Sequence, residues 1–214
     1  MFNPQAGYPF RSDNKPRNEL FEFAKAWLGT TLAFALVYRH SMPLIDAVII
    51  MGIAAGLGIV IHELAHRVVA RRFGSQAHFF ANDAMLVISV LLALTGFIFA
   101  APGAVHHRGY LTKKQVGLVA AAGPASNMVI ALLSLILIPI ANMLNIQFLF
   151  KTAVYSYVVN SLLGIFNMIP YGPLDGAKIM DWDMRAFIAM ASVGGLLYVV
   201  QYLPIAKTLF VFGF

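Results

Sequence analysis

The sequence contains no cysteine, which excludes disulfides and any thiolate metal site and leaves the redox compartment open. Charge is scarce as well. Asp, Glu, Lys and Arg together make up 11% of the chain, less than half of the roughly one quarter typical of soluble domains. Glutamate almost disappears after the N-terminal region, since Glu63 is the only one beyond Glu22. In their place the chain is 60% hydrophobic. That balance excludes an ordinary soluble domain and indicates a polytopic membrane protein. The net charge is +6, but the basic residues stand in short clusters between apolar runs. Such clustering reads as membrane orientation, with no nucleic-acid partner.

Apolar segments occupy about 21–38, 44–66, 84–101, 116–142, 148–170 and 186–203. Each is near the ~20 residues a spanning helix needs, and helices satisfy their own backbone in lipid. The expected fold is therefore an all-α polytopic membrane protein with about five to six transmembrane helices. Residues 1–20 are polar, contain prolines and lack the apolar core of a cleavable signal peptide, so they read as a solvent-facing arm. Residues 21–203 form the expected transmembrane domain, and 204–214 a short tail. Gly52 and Gly56 make a G-x-x-x-G pair, a pattern that lets another helix approach closely.

The chemistry gathers where the second segment ends, in GIVIHELAHRVVARRFG, residues 58–74. His62 and His66 are four apart, which places both rings on one helix face, able to share one ion. Glu63 can lie beside that ion as a general base. Ionisable groups continuing an entirely apolar helix are costly and mark function by default. A catalytic zinc takes a third protein ligand and keeps one position open. The downstream carboxylates are Asp83, Asp175, Asp181 and Asp183. Asp175 is favoured because Pro170 and Pro173 break the preceding helix and Gly172 and Gly176 permit sharp turns beside it. Asp83, Asp181 and Asp183 read as interfacial, with Asp181 and Asp183 still candidates for a supporting role.

Taken together, HELAH at 62–66, GPASN at 123–127 and the N-x-x-P-x-x-P-L-D-G pattern from Asn167 through Gly176 resemble the site-2 protease family of intramembrane zinc metalloproteases. The resemblance covers roughly residues 44–183. It implies one Zn²⁺ per chain held by His62, His66 and Asp175, with Glu63 as the base. It also implies that Asn167 faces the site, its amide available to the substrate or the oxyanion. A short β element between the helices is a further implication, although the apolar insert here is longer than the family leads one to expect.

Counting crossings tests whether these ligands can meet. With a cytoplasmic arm, the second segment returns to the cytoplasmic side and ends in HELAH. Asp175 reaches the same side only if 84–101 makes no net crossing. That arrangement leaves Arg39, Lys151 and Lys207 as the only basic residues on the far side; six full crossings would instead put Arg39, Arg108, Lys113, Lys114, Lys178 and Arg185 there and return Lys151 and Lys207 to the cytoplasmic side. The positive-inside tendency favours the first model. A re-entrant segment 84–101 is therefore expected, returning through FAAPGAVHHRG with a turn at Pro102–Gly103. Gly103, Ala104 and Val105 then form a candidate substrate-binding edge near the metal, where an unwound transmembrane substrate would pair by strand addition. His106 and His107 read as interfacial.

These expectations combine into one reading: a metalloendopeptidase cutting a transmembrane protein substrate inside the lipid bilayer of the cell membrane, with the site toward the cytoplasm. Regulated intramembrane proteolysis is the setting the resemblance implies. The alternative is a polytopic metal-ion or proton transporter using the same His and Asp residues. Such transporters commonly carry internal repeats, and none is visible here.

Overall fold

The computed structural model describes residues 18–98 and 102–203. Most of the expected arm, residues 99–101 of the insert and the tail 204–214 lie outside the described residues.

The chain begins with α1 (Glu19–Val37), capped by the Asn18 side chain, which accepts the backbone N–H of Leu20. After a single 3₁₀ turn at Tyr38–His40, one continuous helical rod runs from Leu44 to Arg72. It is composed of α2 (Leu44–Met51), a π-helical turn (Gly52–Gly56) and α3 (Leu57–Arg72). Strand β1 (Gln76–Ala81), helix α4 (Asp83–Leu94) and strand β2 (Gly103–Arg108) come after it. Next are α5 (Lys113–Met143), α6 (Gln147–Asn167), the short α7 (Asp175–Trp182) and α8 (Met184–Val200).

Four helical stretches are long and apolar enough to cross a membrane: Glu19–His40, Leu44–Arg72, Lys113–Met143 and Gln147–Asn167. The other two apolar segments form the shorter helices α4 and α8. Hydropathy alone gave six comparable runs because the third continues past the helix end at Leu94 into a turn at Thr95–Gly96. The expected G-x-x-x-G contact is present: α1 lies so close to the π-turn that a Cβ on Gly56 would collide with Thr31 and Trp27.

One end of the bundle carries a cluster of ion pairs and the sheet. There the start of α1 meets the end of α3, with Glu19 Oε1 2.8 Å from Arg67 Nε. The start of α5 meets α7 through Lys113 and Asp181, 3.1 Å apart. The two strands lie at this end as an antiparallel pair in the register Gln76↔Arg108 through Ala81↔Gly103. Asn82 donates to the Pro102 carbonyl at 2.9 Å, so the insert 82–102 leaves and rejoins the sheet at one point. Between those points α4 runs along α1, from the Lys25–Asp83 pair (2.6 Å) to the Leu94 carbonyl, which accepts from Arg39 Nη2.

The sheet's two edges differ. The backbone N–H of Phe79 donates to Glu19 Oε1 at 3.0 Å and that of Ala81 to Glu22 Oε2 at 2.9 Å. Two carboxylates from α1 thus occupy the outer edge of β1, a known way of protecting a strand edge. These N–H groups point away from β2, so Phe79↔Val105 and Ala81↔Gly103 are non-hydrogen-bonded pairs. Gly103 and Val105 therefore turn their own backbone groups away from β1 as well, on the opposite side, while Ala104 stays in the ladder opposite Phe80.

Candidate active site

His62 and His66 project from one face of α3, both buried, with ring centroids 4.7 Å apart. Pro170 and Pro173 cannot continue α6, and Gly172 takes a left-handed φ of +60° in the turn between them. The chain thereby reverses into α7, whose first residue is Asp175. Gly176 packs so tightly on the Met168 carbonyl that a Cβ would not fit. The result is a triangle of ligand atoms. His62 Nε2 and His66 Nε2 are 3.0 Å apart, and they lie 3.3 and 3.1 Å from Asp175 Oδ2. Among the described residues, these three form the group of His, Asp and Glu side chains able to hold a metal ion.

The surroundings fix which atoms face inward. His66 Nδ1 donates to the Val119 carbonyl at 2.7 Å, because a carbonyl can only accept. His62 Nδ1 lies 2.6 Å from Asn127 Oδ1. Neutral imidazoles with protonated Nδ1 carry bare lone pairs on Nε2. Three acceptor atoms then converge with no proton among them, a repulsive arrangement that a cation reverses. Tetrahedral zinc with ligand bonds of ~2.0–2.1 Å would separate its ligand atoms by about 3.3–3.4 Å, close to the observed triangle. The backbone leaves room for it: a Cβ on Gly123 of α5 would collide with Nε2 of both histidines. The residues present fit zinc.

Asp175 reaches the site as an anion. Burial opposes its ionisation, while the positive charge of Lys178 near Oδ1 favours it. Lys178 Nζ lies 3.3 Å from Asp175 Oδ1. Glu63 is buried next to the same group, with His62, Asp175, Lys178 and the backbone N–H of Val105 around its carboxylate. Burial lowers the pKa of His106 and His107, which keeps both rings neutral at pH 7.

Several sequence expectations resolve here. His62, His66 and Asp175 come together, and Val105 of the expected edge reaches Glu63. Asn167, expected to face the site, closes α6 with its Nδ2 donating back to the Leu163 carbonyl at 3.0 Å. Asp83 pairs with Lys25, Asp181 with Lys113, and Asp183 caps α8 by accepting the N–H groups of Arg185 and Ala186. None of the three approaches the histidines. Sequence reasoning assigned no role to Asn127, Val119 or Gly123, although GPASN was in view. Its signal was an asparagine in the middle of an apolar helix.

A helical bundle of membrane-spanning length, with H-E-x-x-H on one rod and an aspartate from another meeting at one point, defines the class of zinc metalloprotease. Comparison with known proteins agrees. The chain is 34% identical over 175 residues to the "Putative zinc metalloprotease MJ0611" of Methanocaldococcus jannaschii, covering 80% of this chain and 91% of that one. It is 29% identical over 143 residues to YwhC of Bacillus subtilis, covering 58% of this chain and 64% of that one. With Rip3 of Mycobacterium tuberculosis the identity is 32% over 140 residues, covering 64% of this chain and 32% of that one. Both carry the same zinc metalloprotease name. No family model matches, and no solved structure matches. The chain belongs to the zinc metalloprotease family represented by MJ0611, and its cofactor is Zn²⁺.

Proposed function

We propose that this protein is an intramembrane endopeptidase of the site-2 protease type, hydrolysing a peptide bond in or near a transmembrane segment of a membrane protein during regulated intramembrane proteolysis. The observation that carries the reading is the position of the ligands on the apolar rod Leu44–Arg72. His62 precedes Arg71 by nine residues, about 13 Å along a helix, so the site lies inside the membrane rather than on it. The transmembrane domain 21–203 would sit in the cell membrane with this end toward the cytoplasm, and the insert 84–101 would enter and leave the bilayer on that side. The return of the chain to Asn82 at Pro102 supports this.

When bound by His62, His66 and Asp175, zinc supplies a Lewis acid that acidifies water and polarises a peptide carbonyl. Glu63 takes the proton from the attacking water and delivers it to the departing amine. Its burial against the Val105 N–H and Lys178 keeps it aimed at the reacting bond. The outward backbone of Gly103 and the outward carbonyl of Val105 would pair with an extended substrate, while the Val105 N–H stays with Glu63. A transmembrane helix hides its own carbonyls and must unwind before attack, and strand addition holds it unwound. Because Glu19 and Glu22 occupy the β1 edge, the substrate can add only beside β2, next to Glu63. Asn167 would turn from Leu163 toward the substrate once it is bound.

No feature of the site favours the transporter alternative, and the named relatives are metalloproteases. The test is reconstitution of purified protein with a single-pass substrate in vesicles, with mass spectrometry of the products. Cleavage within or beside the substrate's apolar segment, abolished by a zinc chelator and restored by zinc, is the expected result. Zinc flux across the vesicle without cleavage would refute the reading.

A further inference from the structure

We infer that Asn127 and Asn160 are positioning residues for His62, and that they tie its imidazole to the π-helical turn Gly52–Gly56 two turns upstream. The inference rests on His62 being a zinc ligand.

The orientation of every group is set by backbone carbonyls, which only accept. A π-turn carries one extra residue and rotates the remainder of its helix by about 100°. Two carbonyls of this turn bond to side chains from other helices. Gly52 accepts from Trp27 Nε1 at 2.9 Å, and Ala54 accepts from Asn160 Nδ2 at 3.0 Å. Asn160 Nδ2 also donates to the Ser156 carbonyl at 2.9 Å. Its amide nitrogen is thereby fixed, and its Oδ1 must face Asn127. Asn127 answers with Nδ2 at 2.8 Å, which also lies 3.3 Å from the Gly58 carbonyl. Asn127 Oδ1 is then left for His62, and accepts from Nδ1 at 2.6 Å. That bond keeps the proton on Nδ1 and the lone pair of Nε2 in the metal site.

No link in this chain can flip without setting two acceptors or two donors against each other. Both asparagines are fully buried at 0% exposure, where an unpaired amide is costly. Gly58 makes the approach possible, since a Cβ there would collide with Asn160 Oδ1. His66 needs no such relay, because it bonds a backbone carbonyl directly. The two zinc histidines are therefore held by different means, and only His62 senses the register of the π-turn.

The test measures zinc affinity by chelator competition in Asn127→Leu, Asn160→Leu and the double variant, with helix content monitored by circular dichroism. Each single variant should bind zinc roughly 10- to 100-fold more weakly, as for other groups that orient metal-bound histidines. The double variant should be no weaker than Asn127→Leu, because Asn160 acts through Asn127. Unchanged affinity in Asn160→Leu, or losses that multiply in the double variant, would overturn the relay. A second readout needs only the unaltered, metal-free protein. Its ring ¹⁵N shifts, assigned by comparison with His62→Gln, should show His62 protonated on Nδ1, and protonation on Nε2 would overturn the proposal. Unaltered protein that bound no zinc would remove the zinc reading itself, a failure distinct from that of the relay.

Discussion

His62 Nε2 stands 3.3 Å from Asp175 Oδ2, although the two residues belong to helices on either side of a sheet, an apolar insert and two long apolar helices. The contact exists because the end of α3, the start of α5 and the break after α6 lie at one end of the bundle. Disturbing the parts of that arrangement one at a time should have separable effects.

Replacing Glu63 with Gln removes the base while preserving shape and leaving all three zinc ligands in place. Cleavage of a model transmembrane substrate should fall by about 10²–10⁴-fold, with the zinc content unchanged. A variant that lost its zinc as well would assign Glu63 to holding the metal instead.

Gly123→Ala places a methyl group against both Nε2 atoms. Overpacking of this kind costs about 1–3 kcal/mol, or roughly 5- to 150-fold in zinc affinity. Chelator competition reads it, and circular dichroism should show the helices intact.

Val105→Pro tests the outer edge of β2 together with the Val105 N–H that holds Glu63. The Val105 N–H faces Glu63 and lies outside the ladder with β1, so proline there should leave the sheet intact. Cleavage should drop about fivefold or more while zinc binding is retained. Ala104→Pro, by contrast, removes a ladder bond and should lower the melting temperature.

The absence of cysteine makes single-cysteine labelling clean. Exposed Gln76 and Tyr110 flank the insert, and exposed Met143 lies at the other end of α5. In oriented vesicles Gln76→Cys and Tyr110→Cys should react with a membrane-impermeant maleimide from the same side, and Met143→Cys from the opposite one. Labelling of the first two from opposite sides would mean that the insert crosses.

Much of this site was legible in the sequence because its parts obey local rules. The four-residue spacing of His62 and His66 fixes a common helix face whatever surrounds it, and the prolines at 170 and 173 mark where α6 must stop. The supports of the histidines were less visible. Asn127 and Asn160 appear in sequence only as polar residues within apolar helices, and their partners are set by packing between helices. The π-turn has no local signature beyond small residues. Asn167 was legible as part of a motif, but its bond to the Leu163 carbonyl in its own helix was not. The helix count was blurred because hydropathy does not distinguish a spanning helix from a 12-residue one that runs on into an apolar turn.

The most direct test of the central claim is metal analysis of purified unaltered protein beside Asp175→Ala, both prepared in the same detergent. Histidines and aspartate sharing one ion predict one zinc per chain in the first and loss of most of it in the second, together with loss of cleavage. Equal zinc in both would contradict the account and remove Asp175 from the site.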